Sequence, residues 1–250
     1  MKRKSLWIAF AFCTLVAHEA RAQGGPPMIT DDPGTPGDGH WEINIATTLE
    51  QRPHEQSWGL PQLDLNYGLG ERIQLTLQTS FDVLKRSDHG PIGGWGNVEA
   101  ALKWRFLDEE TNGFSVSTFP RVVFSVLQSS VRHGLADDGT RVQSPVQVAR
   151  KFGPVDLNFE FGPVLSTIGR SEWLYGFVAG TDVTKKTELM AELHGTARTS
   201  FTRDVLTVNA GIRQKLTDQA ILIASLGHDV RTPAGQPLAF IGYCGVQLLY

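Results

Sequence analysis

The sequence predicts an all-β fold: a single transmembrane antiparallel β-barrel of about twelve strands. From Trp41 onward, apolar residues recur at every second position, as Ile73, Leu75 and Leu77 do in one run. The runs are about ten residues or longer, whereas strands of soluble proteins usually have five or six. The connections between them alternate between short and longer, which is typical of membrane barrels with short periplasmic turns and longer extracellular loops.

The N-terminus has the features of a secretory signal peptide, predicted for residues 1–22. Lys2, Arg3 and Lys4 precede an apolar stretch at 6–17, and the sequence at 20–22 has the small-x-small form of a cleavage site. A membrane anchor is the alternative, but about a dozen apolar residues are too few to cross a hydrocarbon core of about 30 Å as a helix. No later segment is apolar enough for a helical span.

Composition then limits the partners. Without the leader, which carries four of the 23 basic and one of the 26 acidic residues, the charge is 19 minus 25, or −6. This acidic balance argues against nucleic acid as a partner. Cys244 is the one cysteine that remains, so no internal disulfide is expected. No motif indicates a metal or any other cofactor.

Residues 23–40 are rich in Gly, Pro and Asp and are predicted as a periplasmic lead-in to a barrel at 41–250. The spacing of Asp31, Asp32 and Asp38 does not fit a calcium-binding loop. Twelve alternating runs follow, near 41–51, 58–69, 71–85, 95–107, 113–127, 141–152, 154–166, 172–183, 187–198, 204–216, 219–229 and 236–250. The inward face of the sixth and eighth runs cannot be assigned from the pattern.

The connections and the aromatic residues agree with this order of strands. Short turns are predicted at Gly70, Gly153, 184–186 and 217–218, a slightly longer one at 108–112, and longer loops around 52–57, 86–94, 128–140 and 230–235. Aromatic residues fall at both ends of the runs, as expected for two interfacial girdles. Those at the short-turn end are Trp41, Tyr67, Trp104, Phe114 and Tyr250, and those at the long-loop end are Trp58, Trp95 and Trp173.

The last run is predicted to close the barrel by pairing with the first, so that it leaves no free edge. A terminal aromatic after alternating apolar residues also resembles the signal that the barrel-insertion machinery recognises, here Phe240, Val246, Leu248 and Tyr250. A soluble β-sandwich also has alternating strands. It explains neither the strand length nor the terminal aromatic residue.

Two segments resemble a known family. The sequence TDDPGTPGDGHWEIN at 30–44 and the sequence GNVEAALKWRFLDEE at 96–110, with a Lys-x-Arg-x-Leu core at Lys103, resemble bacterial outer-membrane transporters of the phenol meta-pathway degradation type. The resemblance implies an outer-membrane location and the passage of small molecules, with aromatic or hydrophobic compounds as candidate solutes. It implies no catalytic residue.

The polar face supplies the candidate functional residues. The side chains expected to line the lumen are Glu42, Asp64, Asp82, Glu99, Lys103, Arg105, Asp156, Glu160, Glu188, Glu192, His194, Arg198, Arg213 and Lys215. Barrels of eight strands are filled by side chains and barrels of sixteen form open channels, so about twelve strands should be intermediate. These charges could line a narrow aqueous pore, or they could pair into a network that closes the lumen.

Three functional hypotheses remain open from the sequence. The preferred one is an outer-membrane channel for passive passage of small molecules, in contact with outer-membrane lipid. The second is a closed barrel that binds or scaffolds. The third is a lipid-modifying enzyme, in which His228 would act as a base near Ser200 and Thr202.

Overall fold

The chain folds into a closed antiparallel β-barrel. The computed structural model describes residues 25–201, 204–232 and 237–250. Its strands are β1 (Trp41–Arg52), β2 (Glu55–Leu69), β3 (Ile73–Arg86), β4 (Ile92–Leu107), β5 (Ser115–Thr118), β6 (Arg121–Ser125), β7 (Thr140–Gln143), β8 (Val146–Phe152), β9 (Val155–Ser166), β10 (Glu172–Thr184), β11 (Thr187–Arg198), β12 (Asp204–Lys215), β13 (Ala220–Arg231) and β14 (Phe240–Leu249). Two short helices, α1 (Glu109–Asn112) and α2 (Gln128–His133), lie in connections. The predicted signal peptide lies outside the described residues.

The fourteen segments make twelve barrel strands, because two strands are each divided at a proline. β5 and β6 are separated by Phe119 and Pro120, and β7 and β8 by Ser144 and Pro145. Proline has no N–H to donate to the ladder, so a regular strand is interrupted there. The two breaks lie side by side, and the Phe119 N–H donates to the Pro145 carbonyl at 3.1 Å. The prediction of about twelve antiparallel strands is confirmed.

Pairing between β14 and β1 closes the barrel. Ile45 is opposite Val246, and the register continues along both strands. Beyond it, Trp41 and Tyr250 exchange backbone hydrogen bonds at 2.8 and 3.0 Å. The predicted pairing of the last strand with the first is therefore present.

The two faces of the wall follow the predicted alternation. In β9, Asn158 and Glu160 are each 2% exposed, whereas Phe159 between them is 47% exposed. Apolar side chains thus cover the outside, and polar side chains point into the lumen. The two weak runs can now be assigned. Gln147 of the sixth run points inward, as does Val178 of the eighth.

The connections mostly follow the prediction. The end of the barrel where β1 begins and β14 ends is called the short-turn end here, and the opposite end the long-loop end. Two-residue turns occur at 153–154 and 185–186 on the first side, and the longest connection, 126–139 with α2, lies on the second. The long loop predicted near 52–57 is wrong, because β1 and β2 extend further and meet at a tight turn of Pro53 and His54.

The predicted aromatic residues lie near the ends of the strands. Trp41, Trp104, Phe114 and Tyr250 are exposed at the short-turn end, where the Trp41 ring packs against Tyr67 at 4.8 Å between centroids. Trp95 is exposed at the long-loop end, and Trp173 stacks on Phe161 at 5.0 Å. Neither of the helices in the described part of the chain is long and apolar enough to cross a membrane.

Candidate functional site

Residues 25–35 lie inside the barrel and are called the plug here. The backbone N–H groups of Ile29 and Thr30 donate to the Glu192 carboxylate at 3.2 and 2.6 Å, and that of Asp31 donates to Glu160 at 3.1 Å. Gly/Pro-rich chain has backbone donors that no secondary structure satisfies, and the inward carboxylates accept them. The sequence predicts a periplasmic lead-in at residues 23–40; of these, residues 25–35 lie within the lumen.

The plug leaves the lumen at the short-turn end. The Thr35 hydroxyl donates to the carbonyl of Glu71 at 2.8 Å, and the Gly39 N–H donates to Gly68 at 3.0 Å. Asp38 accepts from the Gly70 N–H at 2.8 Å. Residues 36–40 therefore line the short-turn rim and lead into β1.

A buried ionic cluster fixes the middle of the plug. The Asp31 carboxylate lies 3.2 Å from both Lys103 Nζ and Arg121 Nη2, and Arg121 also pairs with Glu160 at 3.1 Å. Burial by itself raises the pKa of Asp31, but Lys103 and Arg121 outweigh this effect and hold the pKa below its usual range. Both cations also lie over the ring of Phe119, at 4.6 and 4.4 Å from its centroid. Asp31 is therefore ionised at neutral pH and links the plug to β4 and β6.

A second anchor holds the start of the plug. The buried Arg213 guanidinium donates to the Pro26 carbonyl at 2.8 Å and pairs with Glu188 at 3.5 Å. The Ser225 hydroxyl donates to the Pro27 carbonyl at 2.7 Å. These contacts tie the plug to β11, β12 and β13.

Glycine residues of the inner wall leave space for the plug. A Cβ atom at Gly176 would lie 2.1 Å from Thr30 Oγ1, and one at Gly211 would lie 2.1 Å from Met28 Cε. Met28 is buried against Val178 and Met190, which face the lumen although they are apolar. The plug is thus packed like a core element of the fold.

A cavity of about 520 Å³ remains beside the plug, along β1 to β4 and β14. It extends from the level of Glu42 and Gln74, near the short-turn end, to that of Glu50 and Asp82, near the long-loop end. Its wall includes Thr48, Ser57, Gly59, Gln62, Asp64, Asn66, Thr76, Gln78, Ser80, Glu99, Ile241 and Tyr243, and the plug forms its other side. The lumen is therefore filled on one side and open on the other.

The fourteen predicted lumen residues fall into three groups. Glu42, Asp64, Asp82, Glu99 and Lys103 line the cavity. Asp156, Glu160, Glu188, Glu192, His194 and Arg213 lie on the opposite wall, on β9, β11 and β12. Arg105, Arg198 and Lys215 are at the rims, where Arg105 and Lys215 pair with Asp108 and Asp218. That any of them lines a conducting pore stays a prediction.

Several lumenal residues were not anticipated. Asn44, Gln147 and Asn209 point inward and are buried, but they carry no charge and so were not selected as candidates. The parity of Asn44 and Asn209 within their runs would have identified these two, whereas the face of the run that contains Gln147 could not be assigned. Arg121 directly follows Pro120, where the strand is interrupted. The pattern therefore did not show on which side of the barrel wall its side chain lies. Phe119 is only 2% exposed, and an apolar lumenal residue contradicts the simple alternation.

The residues predicted for insertion and for catalysis lie elsewhere. Phe240 and Tyr250 are exposed on β14 and just after it, and Val246 and Leu248 share their outward parity; their role in insertion stays a prediction. His228 is exposed on the outer face of β13, and its Nδ1 lies 3.0 Å from the carbonyl oxygen of Asp229. Thr202 lies outside the described residues. Over the ranges that the structure covers, no cluster of His, Cys, Asp and Glu has the arrangement of a metal site.

The fold is similar to that of solved outer-membrane barrels. A crystal structure of an outer-membrane channel from Pseudomonas putida F1 aligns with a TM-score of 0.72 at 12% identity, covering 88% of this chain and 98% of that one. The NanC porin aligns at 0.57 with 8% identity, and the KdgM porin, solved with disordered oligogalacturonate, at 0.55 with 12% identity. Each of these two alignments covers 82% of this chain and 98% of the porin chain. No protein-family profile and no curated sequence matches the chain. At these identities the likeness establishes the fold, that of outer-membrane β-barrels.

Proposed function

We propose that this protein is a bacterial outer-membrane channel through which small solutes diffuse along the cavity beside the plug. The observation that carries the proposal is the cavity itself. Its lining runs from near one end of a closed barrel to near the other, and the polar groups of this lining can replace the hydration of a passing solute. The similar structures are those of an outer-membrane channel and two porins, which supports the same class of function. Outer-membrane lipid and the barrel-insertion machinery are the partners that this location requires.

The cavity favours small polar solutes. Most of its wall consists of carboxylates, amides and hydroxyls, and Ile241, Phe119 and Met28 are among its few apolar side chains. The resemblance to phenol meta-pathway transporters suggests aromatic or hydrophobic solutes instead. A liposome swelling assay with sugars, amino acids and aromatic acids decides between these classes, because each solute enters at its own rate.

A pair of adjacent substitutions tests the route. Gln78→Trp places a large side chain in the cavity, whereas Leu77→Trp, on the outer face, places it against lipid. We expect Gln78→Trp to reduce the single-channel conductance several-fold and Leu77→Trp to leave it unchanged. A conductance that is equal in both variants and in the parent protein would contradict the proposal.

The other two hypotheses predict different results. A closed barrel with a binding or scaffold role would give no single-channel current at all, and the buried network around Asp31 is the feature that favours it. A lipid-modifying enzyme would hydrolyse phospholipid, and His228→Ala would abolish that activity.

A further inference from the structure

Three carboxylates that face the cavity have no cationic partner. Within the described ranges, no Lys, Arg or His nitrogen lies within 4.0 Å of Glu42, Asp64 or Asp82. Asn44 donates through Nδ2 to Asp64 at 3.0 Å and to Glu42 at 3.3 Å, which holds these two carboxylates together. Asp82 lies between two glycines of the neighbouring strands, since a Cβ atom at Gly96 would be 2.1 Å from its Oδ2. These groups are therefore available to a solute.

The cations of the cavity wall are already paired. Among the described residues, seven carboxylates line the cavity, namely Asp31, Asp32, Glu42, Glu50, Asp64, Asp82 and Glu99, against two cations, Lys103 and Arg121. Both cations pair with Asp31 of the plug, and Arg121 pairs with Glu160 as well. Asp31 and Glu160 thus balance the charges of the two cations, and the cavity keeps an excess of carboxylates.

The three unpaired carboxylates lie at two positions along the length of the cavity. Asp64 is opposite Gln78 of β3, and Asp82 lies four residues further along the same strand toward the long-loop end. At roughly 3.3 Å per residue, the two levels are about 13 Å apart along β3. The wall between them is neutral and polar, with Gln62, Gln78 and Ser80.

We propose that the cavity selects elongated organic cations that carry an ammonium group at each end. One ammonium would be held near Glu42 and Asp64 and the other near Asp82. The inference rests on the proposed channel function and names the class of solute. It also predicts that the channel conducts potassium in preference to chloride.

The test measures block of the potassium current through single channels by diaminooctane, which bears an amine at each end. Diaminobutane is the shorter dication and octanediol the neutral molecule of equal length. We expect diaminooctane to block at a concentration at least about tenfold below that of diaminobutane, and octanediol not to block. Asp82→Asn should remove the difference between the two diamines. Asp218→Asn, at a fully solvated carboxylate on the short-turn rim, is the matched control and should keep it.

The possible results separate the two proposals. Anion selectivity, equal block by the two diamines, or equal block in Asp82→Asn would overturn the solute class and leave the channel function standing. If no current is seen, the channel function fails, and calorimetric titration of the refolded protein with diaminooctane decides the site. Binding that Asp82→Asn weakens supports the site, and absence of binding overturns it.

Discussion

At the scale of single residues, the parity of a position decides whether it meets lipid or the lumen. Leu77 is 50% exposed on the outer face, and its neighbour Gln78 faces the cavity. Alternation along the sequence predicted the two faces of a strand wherever its apolar and polar residues alternate regularly. Alternation could not predict which face of β10 points inward, because Val178 and Leu174 face inward and are apolar. Val178 packs against Met28 of the plug, and a pattern within one strand carries no information about a distant segment.

The first prediction tests this assignment of faces. Leu77→Arg should prevent stable insertion, because an arginine on the lipid face near the midplane costs about 2–4 kcal/mol. Gln78→Arg should insert normally, because its side chain enters an aqueous, acidic cavity. The measurement is the fraction of each variant that is heat-modifiable after reconstitution into vesicles. Equal insertion of the two variants would mean that the register is misassigned.

The second prediction concerns Asp31, which joins the plug to Lys103 and Arg121. Asp31→Ala leaves two buried cations with one partner fewer, and we expect it to destabilise the protein by about 3 kcal/mol. The change should appear as a lower midpoint of heat-induced unfolding in detergent. Asp88→Asn, on the exposed loop between β3 and β4, should leave the midpoint unchanged. An Asp31→Ala protein as stable as the parent would show that the plug is not anchored there.

At the scale of elements, the strands and their breaks could be predicted from the sequence, and the course of the plug could not. Ten of the twelve runs alternate regularly, because a barrel wall has one apolar and one polar face, whereas the sixth and eighth alternate only weakly. The breaks at Pro120 and Pro145 could have been noticed, since proline interrupts a ladder. The course of residues 25–35 could not, because its contacts with Glu160 and Glu192 join positions more than 120 residues apart.

The third prediction concerns the closing strand. Tyr250 pairs with Trp41 through two backbone hydrogen bonds, and its ring is 60% exposed at the short-turn end. Deleting Tyr250 removes one residue from a long ladder, so the protein should still refold in detergent. If the residue also marks the chain for insertion, the deleted form should be depleted from the outer membrane in cells, and Tyr250→Phe should behave as the parent. Normal membrane levels of the deleted form would contradict a role in insertion.

At the scale of the whole molecule, the barrel and its plug divide the lumen into a packed half and an open half. The buried pairs around Asp31 and Arg213 occupy the packed half, and the unpaired carboxylates remain in the open half. The paired charges of the packed half form the kind of network that the sequence allowed, and a pore through the open half stays a prediction. Composition and periodicity gave the number of strands, but the division depends on where the plug lies.

The claim that solutes pass through the open half is tested most directly by modifying one cysteine during a current recording. Ser80 lines the cavity, and Cys244 is the one cysteine among the described residues, so Ser80→Cys is made with Cys244→Ser. A charged methanethiosulfonate reagent should then reduce the single-channel current in one irreversible step. The matched variant Leu77→Cys, which faces lipid, should show no step. A current that persists unchanged after Ser80→Cys has reacted would place the conducting path elsewhere and contradict the proposed function.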